Sequence, residues 1–333
     1  MHRFICILAI AAFFSGCGAK GKIEDLIDSQ NVPRKTIDVS QLGINAFGNQ
    51  AFAGPLCSQY KEIKNVLRLK FVRVLFNWDD NVQPSPQSNP NFSFYDDILD
   101  CLPAGVDALV VLAHLPSWMK KSSNWINGNP RETFARKWVR KVAKRYAGDS
   151  RIVAFQIWNE PNNVDFSENE TIGVLNSPIN YVELLALSVN MVEDVDPARR
   201  VTNGATTSIA QNFPDSLNYN KAIRDAGGVD LVDFYSIHYY GEAFERFNLE
   251  VKDFLNGLGK PIWVTESGER GVNNQLAYAE KTWPFLRERL PGLRRIYVYR
   301  FAENSPSDIT FGLKNPDPAF PVSDLYVYLR DRQ

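Results

Sequence analysis

Ile152-Val153-Ala154-Phe155-Gln156-Ile157-Trp158-Asn159-Glu160-Pro161-Asn162 is the stretch that decides the fold. Its apolar opening, Ile152 to Phe155, reads as a buried strand. Pro161 has no N–H for a ladder and fixes its own φ, so the strand should stop at Glu160 and leave that carboxylate at the mouth of whatever the strands enclose. A second stretch repeats the pattern: Pro261-Ile262-Trp263-Val264-Thr265 runs into Glu266, and Ser267-Gly268 breaks it. Two glutamates at the exits of two distant strands act together only if the fold gathers strand ends onto one face. A parallel (β/α)8 barrel does so.

The rest of the 333-residue chain agrees. From Gln41 onward apolar strands alternate with amphipathic segments, the sign of parallel βα units. The strands are expected at Leu42–Ala46, Phe71–Phe76, Ala108–Ala113, Val153–Trp158, Val201–Gly204, Val232–Ile237, Ile262–Thr265 and Ile296–Phe301. The clearest helix is Arg131–Tyr146, where Phe134, Trp138 and Val142 recur at helical spacing among Lys and Arg. Residues 41–333 are therefore expected to form one barrel domain.

The beginning of the chain carries a different signal. Met1-His2-Arg3 is a short basic start, and Phe4–Phe14 is an apolar run of signal-peptide length, too short to span a membrane. Phe14-Ser15-Gly16-Cys17 resembles the lipobox of bacterial lipoproteins, which implies a signal peptide over 1–16 and a lipid on Cys17; ordinary cleavage near Ala19 is the rival. Residues 17–40 then read as a flexible, lipid-anchored tether, with about 20 coil residues spanning roughly 25 Å. Removing 1–16 takes Arg3 from the 37 basic residues, leaving 36 against 38 acids and a net charge of −2. No basic stripe is evident, so no nucleic-acid partner is expected, and membrane contact is expected through the anchor only. The protein is expected to be a monomer.

The absent motifs narrow the chemistry. Beyond residue 16 the histidines are His114 and His238, and there is no H-E-x-x-H or C-x-x-C, so no protein-made metal site is expected. No G-x-G-x-x-G, P-loop or G-x-S-x-G elbow follows a strand, so no cofactor is expected and serine hydrolysis lacks its foothold. What remains is paired carboxylates, the equipment of glycosidic bond cleavage. Long loops after the second and third strands carry Trp78, Trp118 and Trp125, whose rings either cover the C–H face of a sugar or pack the loops down.

Asn159-Glu160-Pro161 and Thr265-Glu266-Ser267-Gly268 resemble the signatures of glycoside hydrolase clan A, and Trp158–Asn162 with Pro116-Ser117-Trp118 is most similar to family 39, with family 5 a near neighbour. The resemblance implies Glu160 as acid/base, Glu266 as nucleophile and Asn159 as the residue that holds the sugar 2-hydroxyl. Ser236-Ile237-His238-Tyr239-Tyr240 is similar to the clan's His-x-Tyr, which implies Tyr240 beside the nucleophile and His238 near the acid. Arg73 matches the arginine that pairs with the nucleophile, and His114 fits a histidine common in family 5. One departure stands out: family 5 carries a tryptophan at the end of strand 8, where this chain reads Tyr297-Val298-Tyr299-Arg300-Phe301, and Arg300 or Phe301 is expected to line that place.

The expected activity is thus that of a retaining β-glycosidase acting on an oligo- or polysaccharide. The alternative is a catalytically inactive surface lipoprotein that binds glycans. Arg73 should hold Glu266 ionised, and Glu160 should keep its proton beside Trp158 or in the negative field of Glu266. Cys57 and Cys101 are expected to stay unpaired, because a helix of about 12 residues would set the start of helix 1 and the end of helix 2 roughly 18 Å apart.

Overall fold

The computed structural model describes Glu24 and residues 27–332. Eight parallel strands run β1 Leu42–Asn45, β2 Phe71–Asn77, β3 Asp107–Ala113, β4 Ile152–Ile157, β5 Arg200–Asn203, β6 Tyr235–Tyr240, β7 Ile262–Gly268 and β8 Leu293–Val298. They are ordered β5-β4-β3-β2-β1-β8-β7-β6, and a parallel bridge between Thr202 and Phe234 closes β5 onto β6. The result is a (β/α)8 barrel. Both faces of such a sheet are covered, so the strands are buried end to end, as in Leu42–Asn45 and Ile262–Gly268. Leu109, Ala154, Phe234, Trp263 and Tyr297 fill the interior. Gly43 admits the Tyr297 ring, which a Cβ would meet at 2.5 Å.

Two strands are displaced from expectation. β6 begins at Tyr235, because Asp233 is occupied at the strand's entrance, its carboxylate and its N–H both engaged with Val201. This carries the strand on through His238 to Tyr240. β8 ends at Val298, because Arg300 exchanges its backbone hydrogen bonds with Phe311 and Leu313 of a returning loop rather than with a neighbouring strand.

The expected helices are present. Helices α1 Leu56–Asn65 and α2 Ser93–Cys101 flank the first strands. α3 Pro130–Phe134 is capped by Asn129, whose side chain accepts from the N–H groups of Arg131 and Glu132, and continues through a π turn into α4 Arg140–Arg145. The barrel is completed by α5 Ser167–Ile172, α6 Pro178–Glu193, α7 Asp215–Asp225, α8 Phe244–Arg246, α9 Lys252–Gly257, α10 Gln275–Arg289 and α11 Asp324–Asp331. No helix of the described residues is long and apolar enough to cross a membrane.

Two expectations are corrected. Cys17 and the signal peptide lie outside the described residues, but residues 32–39 of the segment read as a flexible tether are docked, with their ion pairs made to α10. The Lys35 N–H donates to the Glu280 carbonyl at 2.9 Å, the Lys35 ammonium pairs with Glu288 at 2.5 Å, and Ile37 is buried in the core. Arg34 pairs with Glu280 and Asp38 with Arg287, and the valines Val32 and Val39 pack against apolar neighbours. The second correction concerns the cysteines: Cys57 and Cys101 form a disulfide, with Cα atoms 4.5 Å apart. The helices are staggered rather than level. Ile98 of α2 lies beside Leu56 and Tyr60 of α1 around Gly48, so the last turn of α2 meets the first turn of α1.

Mass spectrometry of unreduced peptides should therefore recover Cys57 linked to Cys101. Closing a loop of 44 residues stabilises by about 4 kcal/mol on the chain-entropy account, so Cys57→Ser should lower the unfolding free energy by that order and the denaturation midpoint with it. An unchanged midpoint would show that the bridge constrains nothing.

Candidate active site

The chain leaves β4 at Ile157 and turns sharply through two left-handed residues, Trp158 at φ 72° and Glu160 at φ 43°. Each costs about 1–2 kcal/mol outside glycine. The turn is held by the Glu160 N–H, which donates to the Ala205 carbonyl at 2.9 Å, and by the Asn169 amide, which donates to the Glu160 carbonyl at 2.8 Å. Gly204 makes it possible, since a Cβ there would come within 2.7 Å of the Trp158 backbone. Trp158 is thereby sent into the core, its ring N–H donating to Asn169 and its ring edge against Phe134, while Glu160 turns into the barrel mouth.

Glu266 lies opposite, on β7, and is 7 % exposed. Its Oε1 accepts from Arg73 Nη1 at 2.5 Å and its Oε2 from the Tyr240 hydroxyl at 2.7 Å. Arg73 is itself buried, and every nitrogen of its guanidinium is used: Nε donates to Gln156, Nη1 also to Asn45, and Nη2 to Asn159 at 2.7 Å. His238 stands between the two carboxylates, with Nδ1 2.9 Å from Glu160 Oε1 and Nε2 3.4 Å from Glu266 Oε1. One oxygen from each glutamate and one His238 nitrogen fall within 4.8 Å of one another, the one such cluster of possible metal ligands among the described residues. The Arg73 guanidinium already supplies the cation that this cluster would ask of a metal. Burial and the charge of Glu266 push the Tyr240 hydroxyl well above its ordinary range, so it remains a donor.

The structure brings together Glu160, Glu266, Asn159, Arg73, His238 and Tyr240. His114 is set apart: its Nδ1 is 3.4 Å from Glu168, beside Phe166 and Asn159 on the flank of the site. Two of the three tryptophans, Trp78 and Trp118, are buried rather than open to a sugar, and Trp125 is half-buried. Trp78 is wholly buried against Trp118, Phe134 and Trp138; Trp118 donates to the Gln83 carbonyl and Trp125 to that of Met119. The ring N–H groups of Trp78 and Trp125 are satisfied inside their own loops, whereas that of Trp118 ties the loop after β3 to the loop after β2. The strand 8 expectation also changes. Phe301 is buried and Arg300 lies over Phe47, whereas Tyr299 and Phe311 line the mouth, 5.7 Å apart, beside Tyr240. Burial and the Glu266 charge raise the Tyr299 hydroxyl to about 12.

Asn45, Gln156 and Asn163 were missed. The first two had a signal: each is a lone amide in an apolar strand, facing an interior where it needs a charged partner. Asn163 sits in a loop, where nothing in the sequence marks it, yet its amide donates to Glu160 Oε2 at 2.7 Å. That contact helps overturn another expectation. Burial works to raise the Glu160 carboxyl, but the His238 hydrogen bond and charge, the Asn163 amide and the Arg73 charge outweigh it, and the carboxyl is held below its ordinary range. The apolar neighbour expected to keep the proton on, Trp158, has turned away.

The paired glutamates open onto a cavity of about 800 Å³. A parallel barrel with a buried, cation-paired carboxylate facing a second carboxylate across its mouth belongs to the glycoside hydrolases of clan A. The model of the cellulase family, glycosyl hydrolase family 5, matches residues 35–297, and the chain belongs to that family. No curated protein matches it. Among solved structures it is similar to a family 39 glycoside hydrolase of Bacteroides cellulosilyticus WH2, with a TM-score of 0.65 at 18 % identity over 90 % of this chain and 64 % of that one. A monomeric β-xylosidase of Caulobacter crescentus CB15 gives 0.63 at 19 % identity, over 90 % of this chain and 69 % of that one. An endoglucanase of Pseudomonas stutzeri gives 0.59 at 15 % identity, over 90 % and 96 %. At these identities the likeness is one of fold, and the chain spans less than two thirds of the Bacteroides protein.

The depressed Glu160 carboxyl has a kinetic consequence. A general acid must be protonated in the free enzyme, so kcat/KM should fall as pH rises through its pKa. His238→Phe removes the largest of the influences that lower that pKa, and the alkaline limb of the kcat/KM profile should move to higher pH. A limb that stays in place would detach Glu160 from the acid role.

Proposed function

We propose that the protein is a retaining β-glycosidase working by double displacement. In the first step Glu266 attacks the anomeric carbon as the glycosidic C–O bond breaks, and Glu160 gives its proton to the departing oxygen. In the second, Glu160 takes a proton from water, which attacks the same carbon and returns Glu266 as a carboxylate. The observation that carries this reading is the approach of the two carboxylates to within 4.8 Å at their nearest oxygens, with His238 between them. Retaining enzymes need a short gap of about 5–5.5 Å between carboxyl groups, and inverting ones about 6.5–9.5 Å to admit water.

The surrounding groups fit the roles. Arg73 and Tyr240 fix both oxygens of Glu266 and leave it one carbon to reach. Asn159, steered by Arg73, lies at the reaction centre as the holder of the sugar 2-hydroxyl. His238 donates to the Glu160 carboxylate that forms once the proton has left, which favours the base role in the second step. A glycan binder has no use for a buried arginine locked to a buried glutamate, and the desolvation cost of such a pair speaks for the enzyme. Export and a lipid on Cys17 belong to the same proposal. They are supported by the Met1–Cys17 pattern and by the disulfide, which persists in an oxidising compartment, and the mass of the N-terminal peptide reads them.

The roles separate in rapid-mixing kinetics. With an aryl glycoside whose phenol leaves readily, Glu160→Ala should form the glycosyl-enzyme in a burst and then stall, because attack needs little acid help but water needs the base. Glu266→Ala should give neither burst nor turnover. A burst from Glu266→Ala alone would exchange the roles, and near-normal turnover in either variant would remove the mechanism.

A further inference from the structure

Asn169 is a wholly buried amide on the short helix α5, and it touches neither glutamate's carboxyl group. A carboxamide carries one oxygen to accept and two N–H bonds to donate. All of these go to one stretch of chain. Oδ1 accepts from the Trp158 ring N–H at 2.7 Å, and Nδ2 donates to the carbonyls of Glu160 and Asn163, each at 2.8 Å. The three partners also fix which way the amide points, since the opposite orientation would set its oxygen against two carbonyls.

These contacts span the turn that aims Glu160. Trp158 and Glu160 both lie in the left-handed region, at φ 72° and 43°, which a residue other than glycine keeps only when its surroundings hold it there. Asn163 is the residue whose amide donates to Glu160 Oε2 at 2.7 Å, and its backbone N–H closes the turn on the Glu160 carbonyl at 2.9 Å. One buried side chain therefore sets both the backbone beneath Glu160 and the amide that meets its carboxylate. Helix α5 is itself seated on both sides. Glu168 pairs with His114, just beyond β3, at 3.4 Å, and the Ile172 carbonyl accepts from Arg131 Nη1 of α3 at 3.0 Å. Glu266 stands outside this arrangement, with its oxygens held by Arg73 of β2 and Tyr240 of β6.

We propose that Asn169 is the positioning residue of the acid/base: it keeps the Glu160 carboxyl aimed first at the departing oxygen and then at water, and leaves the attack by Glu266 untouched. This rests on the glycosidase reading. Loss of Asn169 should therefore divide the reaction by what each step asks of Glu160, where a mere packing residue would slow every substrate alike.

Two variants test it. Asn169→Leu removes all three hydrogen bonds, and Trp158→Phe removes only the ring N–H that orients the amide; the second decides the matter if the first does not fold. On a glycoside with an unactivated alcohol as leaving group, kcat/KM should fall about a hundredfold in Asn169→Leu and roughly fivefold in Trp158→Phe. On a dinitrophenyl glycoside, whose phenol leaves without acid help, it should change less than about threefold. Turnover of that substrate should stall at the glycosyl-enzyme and be restored by azide. The azide nitrogen bonds to the anomeric carbon as the ester bond to Glu266 breaks, and no proton has to be removed. The unmodified enzyme should gain nothing from azide. Equal losses on both leaving groups, or no response to azide in the variants, would overturn the proposal. A crystal structure of the variant gives a reading that needs no turnover: the hydrogen bond from Asn163 to Glu160 Oε2 should be broken, and its survival would equally overturn the proposal. If the unmodified chain hydrolyses no glycoside, the glycosidase reading falls, and that bond alone decides whether Asn169 positions the Glu160 carboxyl.

Discussion

The Arg73–Glu266 ion pair is the constraint from which the site is built. Both groups are almost wholly buried, and taking two charges out of water costs several kcal/mol per ion unless the geometry returns it. The return comes from completeness: Asn45, Gln156, Asn159, Tyr240 and Glu266 occupy the guanidinium and both carboxylate oxygens. Removing one partner of such a pair typically costs 3–5 kcal/mol, because the other charge is left buried alone. The same pair links β2 to β7 across the barrel and, through Asn159 and Gln156, to β4. It therefore fixes the fold and the reaction centre together.

Charge is distributed unevenly about this pair. Glu266 is held by a permanent cation and a phenol that stays protonated, whereas Glu160 is held by an imidazole and an amide on the rim. The first arrangement gives each oxygen of Glu266 its own donor. In the second, the histidine bridges the two carboxylates, 2.9 Å from Glu160 and 3.4 Å from Glu266.

Much of this was legible in the sequence because strands buried on both faces leave no place for a polar residue without a reason. Arg73, His238 and Glu266 each interrupt an apolar strand, and each lies in the barrel mouth. The same logic would have found Asn45 and Gln156. What the sequence hid was set by local geometry: the left-handed turn at Trp158 and Glu160, which sends the tryptophan away from the glutamate, and the stagger of α1 and α2, which brings Cys57 to Cys101. The loop tryptophans misled because a ring's neighbours, not its position after a strand, decide whether it faces a ligand. Residues 27–40 look like a linker by composition, yet dock through partners on α10 that lie far away in sequence.

Proton NMR of the first sugar released from a β-glycoside tests the central claim most directly. Two displacements at one carbon, the first by Glu266, predict that the β-anomer appears first and then mutarotates. The α-anomer as first product would mean a single displacement by water and would contradict the account.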